Sequence, residues 1–216
     1  MKLLSNIYMI AIGVTFLVYI FSLPKVHYSK VITLYLALVV AGSLLAMFVY
    51  ELFGTRNNLF IFHFYAPIEY ALLAWLYYPY FEDQTIKKLI RISVPVFIVL
   101  CLVLTLFVHG LEENNSYAMF TEALMVSAWS LLLLRETLIL QKVDRLQSFP
   151  LFWISIGFLF YFIGHLFSEG LMNYLMNRSM DLALKVYTFS FIFKFTLFIL
   201  LIVGVYSEKI FKVKPS

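Results

Sequence analysis

The chain has 216 residues, of which 63% are hydrophobic, 19% aromatic and 13% charged, with a formal net charge of +4. Its mean hydropathy is +0.92, whereas in a soluble globular domain only about 45–50% of residues are apolar and about 25% are charged. The composition therefore excludes a soluble domain and predicts a protein whose main partner is the lipid bilayer. In such a protein basic residues anchor cytoplasmic loops, so the positive charge does not indicate nucleic acid. Cys101 is the single cysteine, which excludes a disulfide framework.

Seven segments are long and apolar enough to be transmembrane helices, each of which needs about 20 mainly apolar residues. In chain order they are Leu4–Phe21, Val31–Tyr50, Leu59–Tyr78, Ile92–Val108, Tyr117–Leu134, Leu151–Ser168 and Leu184–Tyr206. The predicted fold class is all-α, with one seven-helix transmembrane domain over residues 1–216. Pro67 and Pro95 fall inside spans, where we expect them to kink or loosen the helix.

Lysine and arginine are distributed unevenly between the two predicted sides of the membrane. The first, third and fifth loops and the C-terminal tail together carry 11 of the 16 basic residues, and the opposite side carries 4. The eleven are Lys25, Lys30, Lys87, Lys88, Arg91, Arg135, Lys142, Arg145, Lys209, Lys212 and Lys214. Because cytoplasmic loops carry the excess of basic residues, we predict an outside N-terminus and a cytoplasmic C-terminus in the inner membrane.

Three charged residues, Glu69, Glu122 and Lys194, lie well inside predicted spans. A charge at that depth costs at least about 2.5–3.5 kcal/mol, so such residues usually face a bundle interior or a cavity. Counted from the outer ends of their helices, Glu69 and Lys194 are both roughly 15 Å deep. We predict that they pair, either as a functional switch or as a structural ion pair that sets helix register.

A second polar layer is predicted nearer the outer surface. His63, Glu122 and His165 lie roughly 5–8 Å below it, and the cytoplasmic halves of the spans have no comparable acid or histidine. Helical spacing places further polar side chains beside the pair. The predicted ligand-binding or switch residues, which would form an outward-facing pocket, are Glu69, Lys194, His63, Glu122, His165, Tyr65, Tyr187 and Ser190. A stripe of Trp153, Gly157, Phe160 and Gly164 predicts close helix packing.

No motif in the sequence indicates catalysis, and we predict neither catalytic nor metal-binding residues. Several alternatives remain open. Two histidines with Glu122 could hold a metal in an intramembrane lipid hydrolase, although the histidines lack the spacing of one helical turn. A transporter or proton pathway would need polar residues that continue to the cytoplasmic side.

A third alternative is a retinal-binding protein. A lysine midway along the last helix and a carboxylate on the third resemble microbial rhodopsins in placement only. That resemblance implies retinal on Lys194 with Glu69 as its counterion. The third helix lacks the arginine-then-aspartate pattern before its proline, and Ser190 stands where such pumps carry a second acid. We otherwise predict no cofactor.

Two stretches carry a resemblance to a known group of proteins. They are Asn57–Asn58 followed by His63 and Pro67-Ile68-Glu69, and the segment FWISIGFLFYFIG at residues 152–164. With these residues the chain resembles stand-alone seven-helix membrane proteins of Bacteroidota that occur beside sensor histidine kinases. More loosely, it is similar to the seven-helix input regions fused to some of those kinases. The resemblance implies a membrane sensor or signal relay without catalysis of its own, whose partner is a sensor histidine kinase.

Overall fold

In a computed structural model, the structure describes residues 2–22, 26–53, 58–113, 115–141, 145–168 and 172–211, all of them in helices or in the short turns and bends between helices. The predicted loop residues Asn57, Lys25, Lys142, Lys212 and Lys214 lie outside these ranges. The α-helices are α1 (Lys2–Phe21), α2 (His27–Phe53), α3 (Phe60–Tyr77), α4 (Gln84–Leu104), α5 (Ser116–Ile139), α6 (Pro150–Ser168), α7 (Met172–Arg178) and α8 (Met180–Ile210).

Six helices are long and apolar enough to cross a membrane, namely α1, α2, α4 with the turn after it, α5, α6 and α8. The prediction of an all-helical fold is thus confirmed for the described residues, and their six long apolar helices are consistent with a multi-pass membrane protein. Helix α3 is not among the six because His63, Pro67 and Glu69 lower its mean hydropathy. It nevertheless lies within the bundle, where it contacts α2, α4 and α5, and half of its 18 residues are buried.

Local sequence explains several helix boundaries. The carboxylate of Asp83 caps α4 by accepting a hydrogen bond from the Thr85 backbone N–H at 2.7 Å, and Ser179 caps α8 in the same way. Helix α4 continues into a π-helical turn over residues Thr105–His109. That turn ends at Gly110, whose φ of +65° lies in the left-handed region that glycine adopts without strain.

The most extensive helix contact joins α6 and α8, and α5 packs against α6 on the other side. The C-terminal end of α3 and the segment after it are attached to α5 by two hydrogen bonds: the Tyr77 and Ser130 hydroxyls lie 2.7 Å apart, and the Glu82 backbone N–H donates to Glu136 Oε1 at 2.7 Å. Fully buried apolar side chains fill this half of the bundle, and they include Leu73, Leu76, Leu133, Ile154, Phe158, Leu197 and Leu201.

Glycines allow the close approach of α6 and α8, as the small-residue stripe predicts. A Cβ at Gly157 would lie 3.2 Å from Leu197 Cδ1, and a Cβ at Gly164 would overlap the ring of Phe193. Gly204 of α8 is equally tight against Ile154, at 3.0 Å. The other members of the predicted stripe do not share this contact. Phe160 is 52% exposed, and Trp153 stacks on Phe211 at a centroid distance of 5.7 Å.

We expect Gly164→Ala to destabilise the protein by about 1–3 kcal/mol, because the added methyl group would force Phe193 or the α8 backbone to move. The matched control is Gly13→Ala on α1, where an added Cβ has nothing within 4 Å. That substitution should be neutral or stabilising by up to about 1 kcal/mol, since alanine is the better helix former. Unfolding of both variants in detergent micelles measures the difference. Equal stability of the two variants would contradict the close contact between Gly164 of α6 and Phe193 of α8.

Candidate functional site

A cavity of about 880 Å³ occupies one end of the bundle. Its walls come from the N-terminal halves of α1, α3, α5 and α8, the C-terminal halves of α2 and α6, and helix α7. These segments meet at one end because neighbouring helices of the bundle run in opposite directions. Ser5 and Met47 at its rim are exposed, whereas Glu69 at its inner end is only 5% exposed. The cavity is therefore a pocket that opens at one end of the bundle.

Most of the site residues predicted from the sequence meet in this cavity. Six of the eight line it: Glu69, Glu122, Lys194, His165, Tyr65 and Tyr187. His63 and Ser190 are not among the lining residues. The shared depth of Glu69 and Lys194 was the signal that linked two helices distant in the sequence, and the structure places both side chains at the same cavity.

The carboxylate of Glu69 is buried within a set of donors. The Tyr65 hydroxyl, one helical turn earlier, donates to Glu69 Oε1 at 3.2 Å, and the Tyr35 hydroxyl of α2 also donates to this carboxylate. The ammonium of Lys194 attracts it by a Coulombic interaction. A buried carboxylate is costly unless it is hydrogen-bonded and neutralised, and these three side chains supply both.

The ammonium of Lys194 lies among aromatic rings. Nζ is 5.0 Å from the ring centroids of Tyr187 and Phe191 and 5.6 Å from that of Tyr8. A cation within about 6 Å of a ring face is attracted by the ring quadrupole. Two kinds of interaction therefore hold this side chain at the inner end of the cavity, the carboxylate of Glu69 and three aromatic rings.

Glu122 is the second carboxylate of the cavity, and its environment differs. Its side chain is 3% exposed, and Oε1 has no hydrogen-bond partner among the residues that the structure describes. Glu69 is near enough to repel it electrostatically. Glu122 is therefore a buried carboxyl group of the cavity wall with one oxygen that accepts no hydrogen bond from the described residues.

His63 and Ser190 make local contacts instead. His63 Nδ1 lies 2.8 Å from Thr105 Oγ1, and His63 Nε2 lies 3.0 Å from the carbonyl oxygen of Glu113. This imidazole therefore connects α3 to the π-helical turn after α4 and to the loop beyond it. The Ser190 hydroxyl donates to the Tyr187 carbonyl of its own helix at 2.7 Å. Both side chains thus hydrogen-bond within the helix packing, and neither is among the residues that line the cavity.

The sequence reasoning missed three tyrosines and the methionines of the cavity. Tyr8, Tyr35 and Tyr161 surround a void of about 20 Å³ at its inner end, together with Tyr65 and Lys194. Tyrosine in a membrane protein favours the interface, so tyrosine in the middle of a span indicates a polar interior. That signal was available for Tyr161, the eleventh of the 18 residues of its predicted span, although it does not show which face of the helix the site occupies. Five of the eight methionines of the chain line the cavity: Met9, Met47, Met119, Met172 and Met176.

In chemical terms the cavity can bind a small molecule that is partly polar and partly apolar, and its volume is in the usual range for ligand pockets, about 300–1,000 Å³. Among the described residues no group of three or more histidine, cysteine, aspartate or glutamate side chains could hold a metal ion. Comparison with known proteins finds no matching family model, no matching curated protein and no matching solved structure.

We expect Lys194→Met to lower the free energy of unfolding by about 1–3 kcal/mol, because it removes the positive charge beside a buried carboxylate. The double variant Glu69→Gln/Lys194→Met should recover part of this loss, since coupled residues give non-additive effects. Lys185→Met on the same helix is the control. Lys185 pairs with Asp181 at 2.6 Å, but both side chains are over 70% exposed, so its loss should cost less than about 0.5 kcal/mol.

Denaturant unfolding in mixed micelles compares five proteins: the wild type, Glu69→Gln, Lys194→Met, the double variant and Lys185→Met. If Lys194→Met is no more destabilising than Lys185→Met, or if the effects of the two cavity substitutions simply add, the ion pair is refuted.

Proposed function

We propose that the protein spans a bacterial inner membrane and that α3 is its seventh transmembrane helix. In this topology the N-terminus lies on the outer side of the membrane and the C-terminus on the cytoplasmic side. The polar residues that lower the hydropathy of α3 face inward: His63 and Glu69 are each 5% exposed. Its lipid-facing positions are apolar, with Phe64 and Ile68 at 50% exposure or more. The excess of basic residues on the opposite side from the cavity supports this orientation.

Within this topology we propose that the protein is a sensor that binds a small ligand from outside and relays the event. One observation carries the proposal: the cavity lies at one end of the bundle, which is the outer end in this topology, and it stops at Glu69 and Lys194, next to a closed apolar core. A ligand that enters from outside meets Leu73, Phe158 and Leu197 below the pair, and all three are fully buried. Entry and exit on one side suit a receptor better than a transporter.

Relay of the binding event would depend on movement of the helices that line the cavity. A ligand changes a protein's conformation only when it binds one packing more tightly than another. Here α3, α5 and α8 bring Glu69, Glu122 and Lys194 to one cavity, so a bound molecule alters the balance of charges between three helices. The resemblance to proteins found beside histidine kinases suggests that such a kinase is the partner, and the short basic segments near Lys87 and Arg91 are available to it.

Substituted cysteines test the topology, because Cys101 is the sole native cysteine and is buried. We expect a membrane-impermeant maleimide to label Met176→Cys, at the cavity rim, in spheroplasts. Lys88→Cys, at the exposed start of α4, should react only after lysis. Unmodified protein is the control for background at Cys101. Labelling of position 88 in intact spheroplasts would contradict the orientation.

A photo-crosslinking residue at position 88 tests the relay in the native host. We expect mass spectrometry to identify a protein with a histidine-kinase catalytic domain in the crosslinked product. Ala46→Trp, which fills the cavity, should change the crosslink yield, whereas Ala41→Trp on the exposed face of the same helix should not. A position-88 product without a kinase, or a yield that responds equally to both tryptophans, would refute the sensor proposal.

A further inference from the structure

We propose that the cavity binds an amphipathic organic ammonium ion, whose charged nitrogen lies against Glu122 and whose apolar body lies among the methionines of the wall. The inference rests on the proposed ligand-binding function and adds the chemical class of the ligand. It starts from a difference between the two carboxyl groups of the cavity: Glu69 has hydrogen-bond donors and a nearby lysine, whereas Glu122 has fewer partners.

The first step is the charge that remains available. Glu69 already accepts hydrogen bonds from Tyr65 and Tyr35 and is attracted by the ammonium of Lys194. Glu122 lines the same cavity and repels Glu69, its side chain is 3% exposed, and its Oε1 has no hydrogen-bond partner among the described residues. A buried carboxyl group with so few partners is unfavourable, so a ligand that places a positive charge beside it in the cavity gains most at this position.

The second step is the sign of the ligand's charge. An anion at Glu122 would face two carboxylates that repel it. An anion at Lys194 would have to compete with Glu69 and with the rings of Tyr8, Tyr187 and Phe191, which already surround Nζ. The cavity therefore favours a cation at Glu122 over an anion at Lys194.

The third step is the body of the ligand. The cavity wall carries flexible thioether side chains, including Met119, one helical turn before Glu122 on α5, and Met172 and Met176 of α7. Methionine adapts to ligands of different shape and makes favourable contacts with aromatic rings. A volume of about 880 Å³ exceeds what an ammonium group alone would fill. The favoured ligand is thus an amine that carries an aromatic or branched aliphatic group.

Three probes of similar shape test the charge preference in lipid nanodiscs: 2-phenylethylamine, 3-phenylpropanoate and 2-phenylethanol. We expect the amine, a cation at neutral pH, to raise the thermal unfolding temperature and to bind measurably in isothermal calorimetry. The carboxylate and the alcohol should bind at least about tenfold more weakly. Equal binding of the three, or tighter binding of the carboxylate, would overturn the proposal.

Glu122→Gln keeps the shape of the side chain and removes its charge. We expect it to weaken binding of the amine at least about tenfold. Glu112→Gln, an exposed change outside the cavity, should leave binding unaltered. Unchanged amine affinity in Glu122→Gln would overturn the role of Glu122. If that variant does not fold, the comparison of the three probes on the wild-type protein still decides the question. If the amine does not bind but the kinase crosslink forms, only the proposed class of ligand is rejected. If the kinase crosslink does not form, the sensor proposal itself is rejected.

Discussion

The cost of placing a carboxylate in an apolar helix bundle governs the arrangement of this protein. Glu69 is satisfied by a hydroxyl from its own helix, a hydroxyl from α2 and the ammonium of α8, whose charge is further stabilised by a ring from α1. Four helices must therefore meet at one depth and in one rotational setting. Apolar packing alone tolerates many registers, whereas this set of polar contacts is satisfied in only one.

The same constraint explains why the bundle has two different halves. Around Glu69 and Lys194 polar groups and methionines leave an open cavity, while the other half is filled by leucine, isoleucine and aromatic side chains. Burial of apolar side chains stabilises one half of the bundle, and the polar contacts at the cavity end select one helix register. If a ligand binds in the cavity as proposed, the apolar packing of the other half still holds the helices together.

Much of the fold follows from hydropathy, because each span is a long apolar segment with few alternatives. Helix α3 is the exception: its buried polar residues lower its hydropathy, so length and composition indicate six spans and leave α3 out. That Glu69 and Lys194 share a cavity could be predicted because charge and depth are both visible in a sequence. The place of His63 could not, since depth does not show which face of α3 meets the π-helical turn. Likewise Tyr8 and Tyr161 approach the site from helices whose rotation the sequence leaves open.

The glycine contacts between α6 and α8 have a mechanical consequence. With Gly157, Gly164 and Gly204 at the interface, these two helices cannot rotate or slide against each other without steric overlap. They form a stiff wall that carries His165 and Lys194. Any expansion or contraction of the cavity would then fall on the opposite wall, on α1, α2 and α3. Since α3 leads directly into the turn at Tyr78–Tyr80 and the basic start of α4, a displacement of α3 would also move that segment.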